Sequence, residues 1–240
     1  MTGKLYGLGV GPGDPELISL KSYRLLRAAD VVAYPTGREG GGNALSIVQP
    51  HLRDDHILVP MMYPATAGPV ADSADYPDLM SKFYDDTAEE LATHLEAGRD
   101  VALICQGDPF FYGSYMYWHA RLAERYDTTV VPGISSVMTG PIVLGKPLCH
   151  RTDTVTVIPA TLEETEIERR LAAADSAVLM KLGRTLPKVR RVLDRVGRLD
   201  DAWLVERATM DGERVTPMRD EAVATAGYFS ICVLPCKTPV

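Results

Sequence analysis

Asp108 is the residue of this chain best placed to do chemistry, because it stands just past a buried strand pattern. The apolar run Val101-Ala102-Leu103-Ile104-Cys105 leads directly into Gln106-Gly107-Asp108-Pro109-Phe110-Phe111-Tyr112-Gly113. A continuous apolar run of that length reads as a buried parallel strand, and Gly-Asp-Pro ends it with a turn. In open α/β sheets, ligands bind in the crevice beyond the carboxyl ends of the strands. Asp108 or its neighbouring backbone is therefore expected to touch a small molecule. The competing reading is that Asp108 merely caps the helix that follows.

A glycine series, Gly7, Gly9, Gly11 and Gly13, crosses the end of the first strand pattern. It looks like the dinucleotide fingerprint G-x-G-x-x-G, but three details oppose that reading. The third glycine falls one residue early, and Pro12 removes an N–H that a phosphate would use. The second strand ends in Tyr34-Pro35 where a ribose-binding acid would be needed. Cys105, Cys149, Cys232 and Cys236 and the five histidines show no metal-ligand spacing, so neither a metal nor a disulfide is expected.

The elements that must position these residues alternate in type. Strand patterns fall at 5–10, 30–34, 57–59 and 101–105, with helices at 15–29, 44–51, 81–97 and 114–126. Asp14 followed by Pro15 is a good start for the first helix, and 64–77 reads as an irregular loop. Beyond 127 come strands at 129–131, 154–159, 177–180, 202–205 and 228–233, with helices at 163–173 and 187–195 and a hairpin-like polar stretch before the last strand. This predicts an α/β protein with an N-terminal domain over 1–126 and a second α/β domain over 127–240. The chain has 240 residues and a formal net charge of −7, which argues against nucleic acid or anionic membrane as partner. No apolar stretch approaches the ~18 residues of a membrane span, and no signal segment precedes the first strand, so a cytoplasmic protein is expected.

Three ordered segments together resemble the tetrapyrrole methyltransferases, S-adenosylmethionine (SAM) enzymes of corrin and sirohaem biosynthesis. They are Tyr6-Gly7-Leu8-Gly9-Val10-Gly11-Pro12-Gly13-Asp14-Pro15-Glu16-Leu17, Gly107-Asp108-Pro109-Phe110 and Val131-Pro132-Gly133-Ile134-Ser135-Ser136. Within the family, 110–117, 180–184 and 205–210 look most like the members that methylate C20 of precorrin-2 to give precorrin-3A. The resemblance implies two α/β domains with the active site in the trough between them, a homodimer, and SAM held in a folded conformation. It places Pro12, Gln106, Gly107, Asp108, Phe111, Tyr112, Ser135 and Ser136 along the methionine and ribose parts of SAM, and Lys181, Leu182 and Ala208 at the adenine. A hydroxyl at a helix start suits the methionine carboxylate. Tyr112 or Glu206 is expected to assist proton removal, and Arg38, Arg184 and Arg207 to anchor the eight substrate carboxylates. Pro35 stands where family members acting on uroporphyrinogen III carry an acid, which argues against that reaction. Cobalt-precorrin-2 remains open as the alternative substrate, and a relative acting on a protein in the diphthamide pathway is a more distant one.

Overall fold

In the computed structural model, residues 1–37, 41–65 and 73–236 are described. The chain divides into two compact units, Met1–Ser135 and Ser136–Val240. The first unit holds β1 (Leu5–Gly9), α1 (Leu20–Ala28), β2 (Val31–Thr36), α2 (Asn43–Val48), β3 (Ile57–Met62), α3 (Tyr76–Glu96), β4 (Val101–Cys105), α4 (Tyr115–Leu122) and β5 (Thr128–Val131). The second holds α5 (Ser136–Leu144), β6 (Val155–Pro159), α6 (Glu164–Ala172), β7 (Ser176–Met180), α7 (Leu186–Arg195), β8 (Trp203–Glu206), β9 (Arg214–Pro217) and β10 (Ser230–Leu234).

All five strands of the first sheet run parallel, in the order β3-β2-β4-β1-β5. The central strands β1 and β4 are buried at every residue, as continuous apolar runs covered on both faces should be. One face packs Leu5, Val31, Val101 and Leu103 against Leu91 and Leu95 of α3 and Trp118 and Leu122 of α4. The other packs Leu8, Val32 and Ile104 against Leu26 of α1 and Ile47 of α2.

The domain boundary read at 127 is corrected by this sheet. Leu5 to Leu8 of β1 pair with Thr128 to Val131, so β5 completes the first sheet and the division falls after Ser135. Two element starts also differ. The helix expected over 15–29 is a 3-10 turn at Pro15–Leu17, then α1. Asp14 accepts from the Glu16 N–H as expected, but Ser19 accepts from the Ser22 N–H and starts a second helix. Helix α3 begins at Tyr76, with Pro77 in its first turn, where a missing N–H costs nothing.

The second sheet is mixed, in the order β6-β7-β10-β8-β9. β6 and β7 are parallel, while β10 runs antiparallel between β7 and β8, and the polar stretch returns as β9 antiparallel to β8. Strands β6, β7 and β8 therefore point the same way, and the ends of β7 and β8 flank the start of β10. Its main core packs Leu179, Leu204 and Cys232 against Leu171 of α6 and Val189 and Leu193 of α7.

Candidate functional site

Because the first sheet is parallel, the loops after β1, β4 and β5 leave its same edge, and β1 lies between the other two strands. Glycine lets these loops touch. A Cβ on Gly133 would stand 2.0 Å from the Gly107 carbonyl oxygen, and one on Gly9 would stand 2.4 Å from the Gly133 nitrogen. Real Cβ atoms do not approach so closely, so Gly9 at the end of β1 and Gly133 in the β5 loop must be glycine, while Gly107 is favoured there by its backbone conformation. Gly107 donates to the Gly11 carbonyl at 2.7 Å, and the Gln106 side-chain amide donates to the Pro12 carbonyl at 2.8 Å. Gly11 and Gly107 both take left-handed backbone, with φ of 86° and 72°.

Asp108 serves this junction in a way neither sequence reading anticipated. Its Oδ2 accepts from the Gly133 N–H at 3.0 Å and its Oδ1 from the Phe110 N–H at 2.9 Å. The carboxylate thus ties the β4 loop to the β5 loop and holds its own turn. It does not cap α4, which starts seven residues later at Tyr115.

Of the other expected positions in this unit, Pro12 is buried in the junction, while Phe111 and Tyr112 are exposed beside Phe110. Three adjoining exposed aromatic side chains at the end of a central strand form an apolar surface of the kind that covers a ligand. Tyr112 takes left-handed backbone, φ 56°, which a non-glycine residue rarely adopts. Ser135 is half-buried and closes the β5 loop, and Ser136 is the first residue of α5. Cys105, beneath the loop, is not a nucleophile: burial pushes its thiol up to about 11, keeping it protonated.

In the second unit the expected positions share one sheet edge. Lys181 follows β7 and Arg207 follows β8, on either side of Ser230 at the start of β10. Both are exposed and both are left-handed, φ 60° and 51°, as is Thr209 at 63°. Strained backbone of this sort clusters at ligand sites. The Leu182 side chain is buried in the core, so what it offers to a ligand is backbone. Ala208 packs partly buried against Val178, Val205 and Ile231.

Glu206 does not present an open carboxylate. It lies opposite Arg214 in the β8–β9 register, and its Oε2 accepts from two guanidinium nitrogens of that residue. The expected role in proton removal would have to compete with this pairing. Arg184 is exposed in the 3-10 turn at Gly183–Thr185, and Arg207 is exposed with its Nε donating to the Asp211 carbonyl at 2.6 Å. Arg38 lies outside the described residues.

Each unit, taken by itself, holds one feature that suits a part of SAM. In the first unit the glycine junction brings backbone of three strand ends to one place; in the second the Ser230 hydroxyl is buried, with no hydrogen-bond partner among the described residues, at the edge where Lys181, Leu182 and Ala208 stand. A buried hydroxyl without a partner costs about 1–3 kcal/mol, which a ligand's hydrogen bond would offset. Sequence reading missed Ser230, Arg214 and the mutual contact of Gly9, Gly107 and Gly133. Only the glycines carried a signal, since all three follow or end strand patterns.

Residues 4–223 match the family described as Tetrapyrrole (Corrin/Porphyrin) Methylases. The chain is 44% identical to the Precorrin-2 C(20)-methyltransferase of Sinorhizobium sp, over 97% of this chain and 95% of that one. It is 31% identical to the Cobalt-precorrin-2 C(20)-methyltransferase of Salmonella typhimurium, over 89% and 87%. The fold superposes on the uroporphyrin-III C-methyltransferase of Thermus thermophilus complexed with S-adenyl homocysteine, with a TM-score of 0.68. That structure is 24% identical and covers 97% of this chain and 92% of its own.

Proposed function

Since the chain belongs to the tetrapyrrole (corrin/porphyrin) methylase family, we propose that it transfers a methyl group from SAM to C20 of precorrin-2, giving precorrin-3A. The observation that carries this reading is the near full-length likeness to the Sinorhizobium C20 enzyme, higher than that to the cobalt-precorrin-2 enzyme. Geometry supports it through the glycine junction at the parallel strand ends and the strained turns at Tyr112, Lys181 and Arg207.

When bound, SAM supplies a methyl group on a positively charged sulfur, open to in-line displacement by an electron-rich carbon. The chain's own part is positional, and correct placement of two reactants is worth several kcal/mol of barrier. In this reading Pro12, Gln106, Gly107, Asp108, Phe111, Ser135 and Ser136 take the methionine and ribose parts, with Asp108 acting by fixing the loops. Lys181, Leu182 and Ala208 take the adenine through their backbone. Phe111 and Tyr112 cover the methyl donor and exclude water. The Tyr112 hydroxyl relays the C20 proton, accepting it while passing its own proton to solvent water, since the Glu206 carboxylate is paired with Arg214. Arg184 and Arg207 meet substrate carboxylates, as paired N–H donors suited to that geometry. A homodimer in the cytoplasm completes the reading.

The test is incubation with methyl-labelled SAM and precorrin-2, locating the label by NMR. One label at C20 is expected. Incorporation only into cobalt-precorrin-2 would move the reading to the metal-loaded substrate, and incorporation into neither would end it.

A further inference from the structure

In the second unit Cys236 meets His150 and Asp153, a pair three residues apart that lies far earlier in the sequence. The Cys236 Sγ lies 3.0 Å from the His150 Nδ1, and that nitrogen lies 3.8 Å from the Asp153 Oδ2. One ligand atom from each residue falls within 4.8 Å of the other two. The histidine and aspartate belong to the turn that precedes β6, and Cys236 follows β10. Spacing along the chain hides this cluster, since the cysteine arrives 83 residues after the aspartate; the sequence expectation of no metal rested on spacing alone.

We infer that these three side chains form a zinc-binding site. Thiolate, imidazole and carboxylate are the donor set that zinc takes, and ligand bonds of about 2.0–2.3 Å in tetrahedral array put ligand atoms about 3.5 Å apart. The observed 3.0 and 3.8 Å bracket that value, so the sulfur–nitrogen pair needs to part by only about 0.5 Å. Backbone already holds the turn: Asp153 N–H donates to the His150 carbonyl at 2.8 Å, and His150 N–H donates to the Asp153 Oδ2 at 2.8 Å. The site is half-buried, which leaves a route for the ion. The Cys149 thiol, exposed and next to His150 in sequence, or a water molecule completes the coordination. Zinc takes cysteine as thiolate, so binding displaces the Cys236 proton to solvent. Its effect is to fasten the segment after β10 to the turn before β6. This inference is independent of the methyl-transfer reading.

The full-length protein, freed of metal by chelation, is titrated with Zn²⁺ against a chromophoric chelator and, separately, with Co²⁺. One equivalent of zinc is expected to bind and raise the melting temperature. Cobalt is expected to give visible bands of tetrahedral intensity with a thiolate charge-transfer band in the near ultraviolet. Cys236→Ser should abolish the charge-transfer band or, if Cys149 ligates, reduce it, and should weaken zinc at least ~100-fold; Asp153→Asn should weaken it ~10-fold or more. No stoichiometric zinc uptake by the unmodified protein, no charge-transfer band with cobalt, or equal affinity in Cys236→Ser would overturn the site. The cobalt spectrum needs no variant, so the test stands even if a substituted chain fails to fold.

Discussion

The first sheet gathers its loops by running five strands one way, whereas the second aligns the ends of β7 and β8 by inserting β10 backwards between them. The turns that result are built from different residues. In the first unit, glycines take the left-handed conformations at Gly11 and Gly107, where loop backbones come within contact of one another, and Tyr112 is the exception that keeps a side chain. In the second, Lys181, Arg207 and Thr209 take them and keep their side chains. A left-handed residue with a Cβ costs roughly 1–2 kcal/mol. The lesson is that one region uses glycine to bring backbones together, while the other accepts strain to keep side chains at a sheet edge.

The sharpest way to break the comparison is Gly133→Ala. Its Cβ would meet the Gly107 carbonyl at 2.0 Å, so the β4 and β5 loops must part. Calorimetric titration with S-adenosylhomocysteine is expected to show at least a ~100-fold loss of affinity, and scanning calorimetry a destabilisation on the order of 3 kcal/mol. Unchanged binding would remove the glycine junction from the site.

Alkali probes both cores together. Burial pushes Cys105 of the first unit up to about 11 and Cys232 of the second up to about 12, above an ordinary thiol near 9. The unfolded chain loses these protons first. Stability from each group is therefore whole below pH 9 and declines as pH rises toward 11 or 12, by up to ~1.4 kcal/mol per pH unit per thiol. Urea unfolding followed from pH 8 to 11 is expected to show the decline, and Cys232→Ala to flatten it. An identical slope in that variant would contradict the assignment.

A smaller effect is expected at Asp108. Asp108→Ala strips the Gly133 and Phe110 N–H groups of their acceptor, costing ~1–3 kcal/mol, whereas Asp108→Asn keeps one acceptor and recovers part of it. Chemical denaturation of the two variants decides this: equal stability of both would show that the carboxylate does not tie the loops.

Smallest is Lys181→Gly. Relief of strain, less the extra freedom of glycine in the unfolded chain, leaves a net gain of about 0.5 kcal/mol. Thermal melts that show a loss instead would mean the turn is not strained in the way its φ of 60° suggests.

Most of the architecture was legible because alternating apolar runs and helical periodicity report burial directly. The Val101–Cys105 strand and its Gly-Asp-Pro turn fall where the pattern put them. What escaped were facts of pairing. β5 reads as the first strand of a new domain until its partner is known to be β1. Asp108 reads as a cap or a ligand until Gly133, 25 residues away, is found at its oxygen. Glu206 reads as an available base until the hairpin brings Arg214 across from it. Local sequence carries periodicity; it does not carry the identity of a distant neighbour.

The backward insertion of β10 also dictates an order of events during synthesis. When the ribosome has released the chain through Val131, all five strands of the first sheet are present and can pair. When it has released the chain through Pro217, four strands of the second exist, but β7 and β8 have an empty lane between them. That lane stays open until residues 230–234 emerge, leaving two unpaired strand edges exposed to other chains meanwhile. Newly made molecules should thus pass through a stage with one half finished and the other waiting, the stage at which a holding chaperone has most to protect.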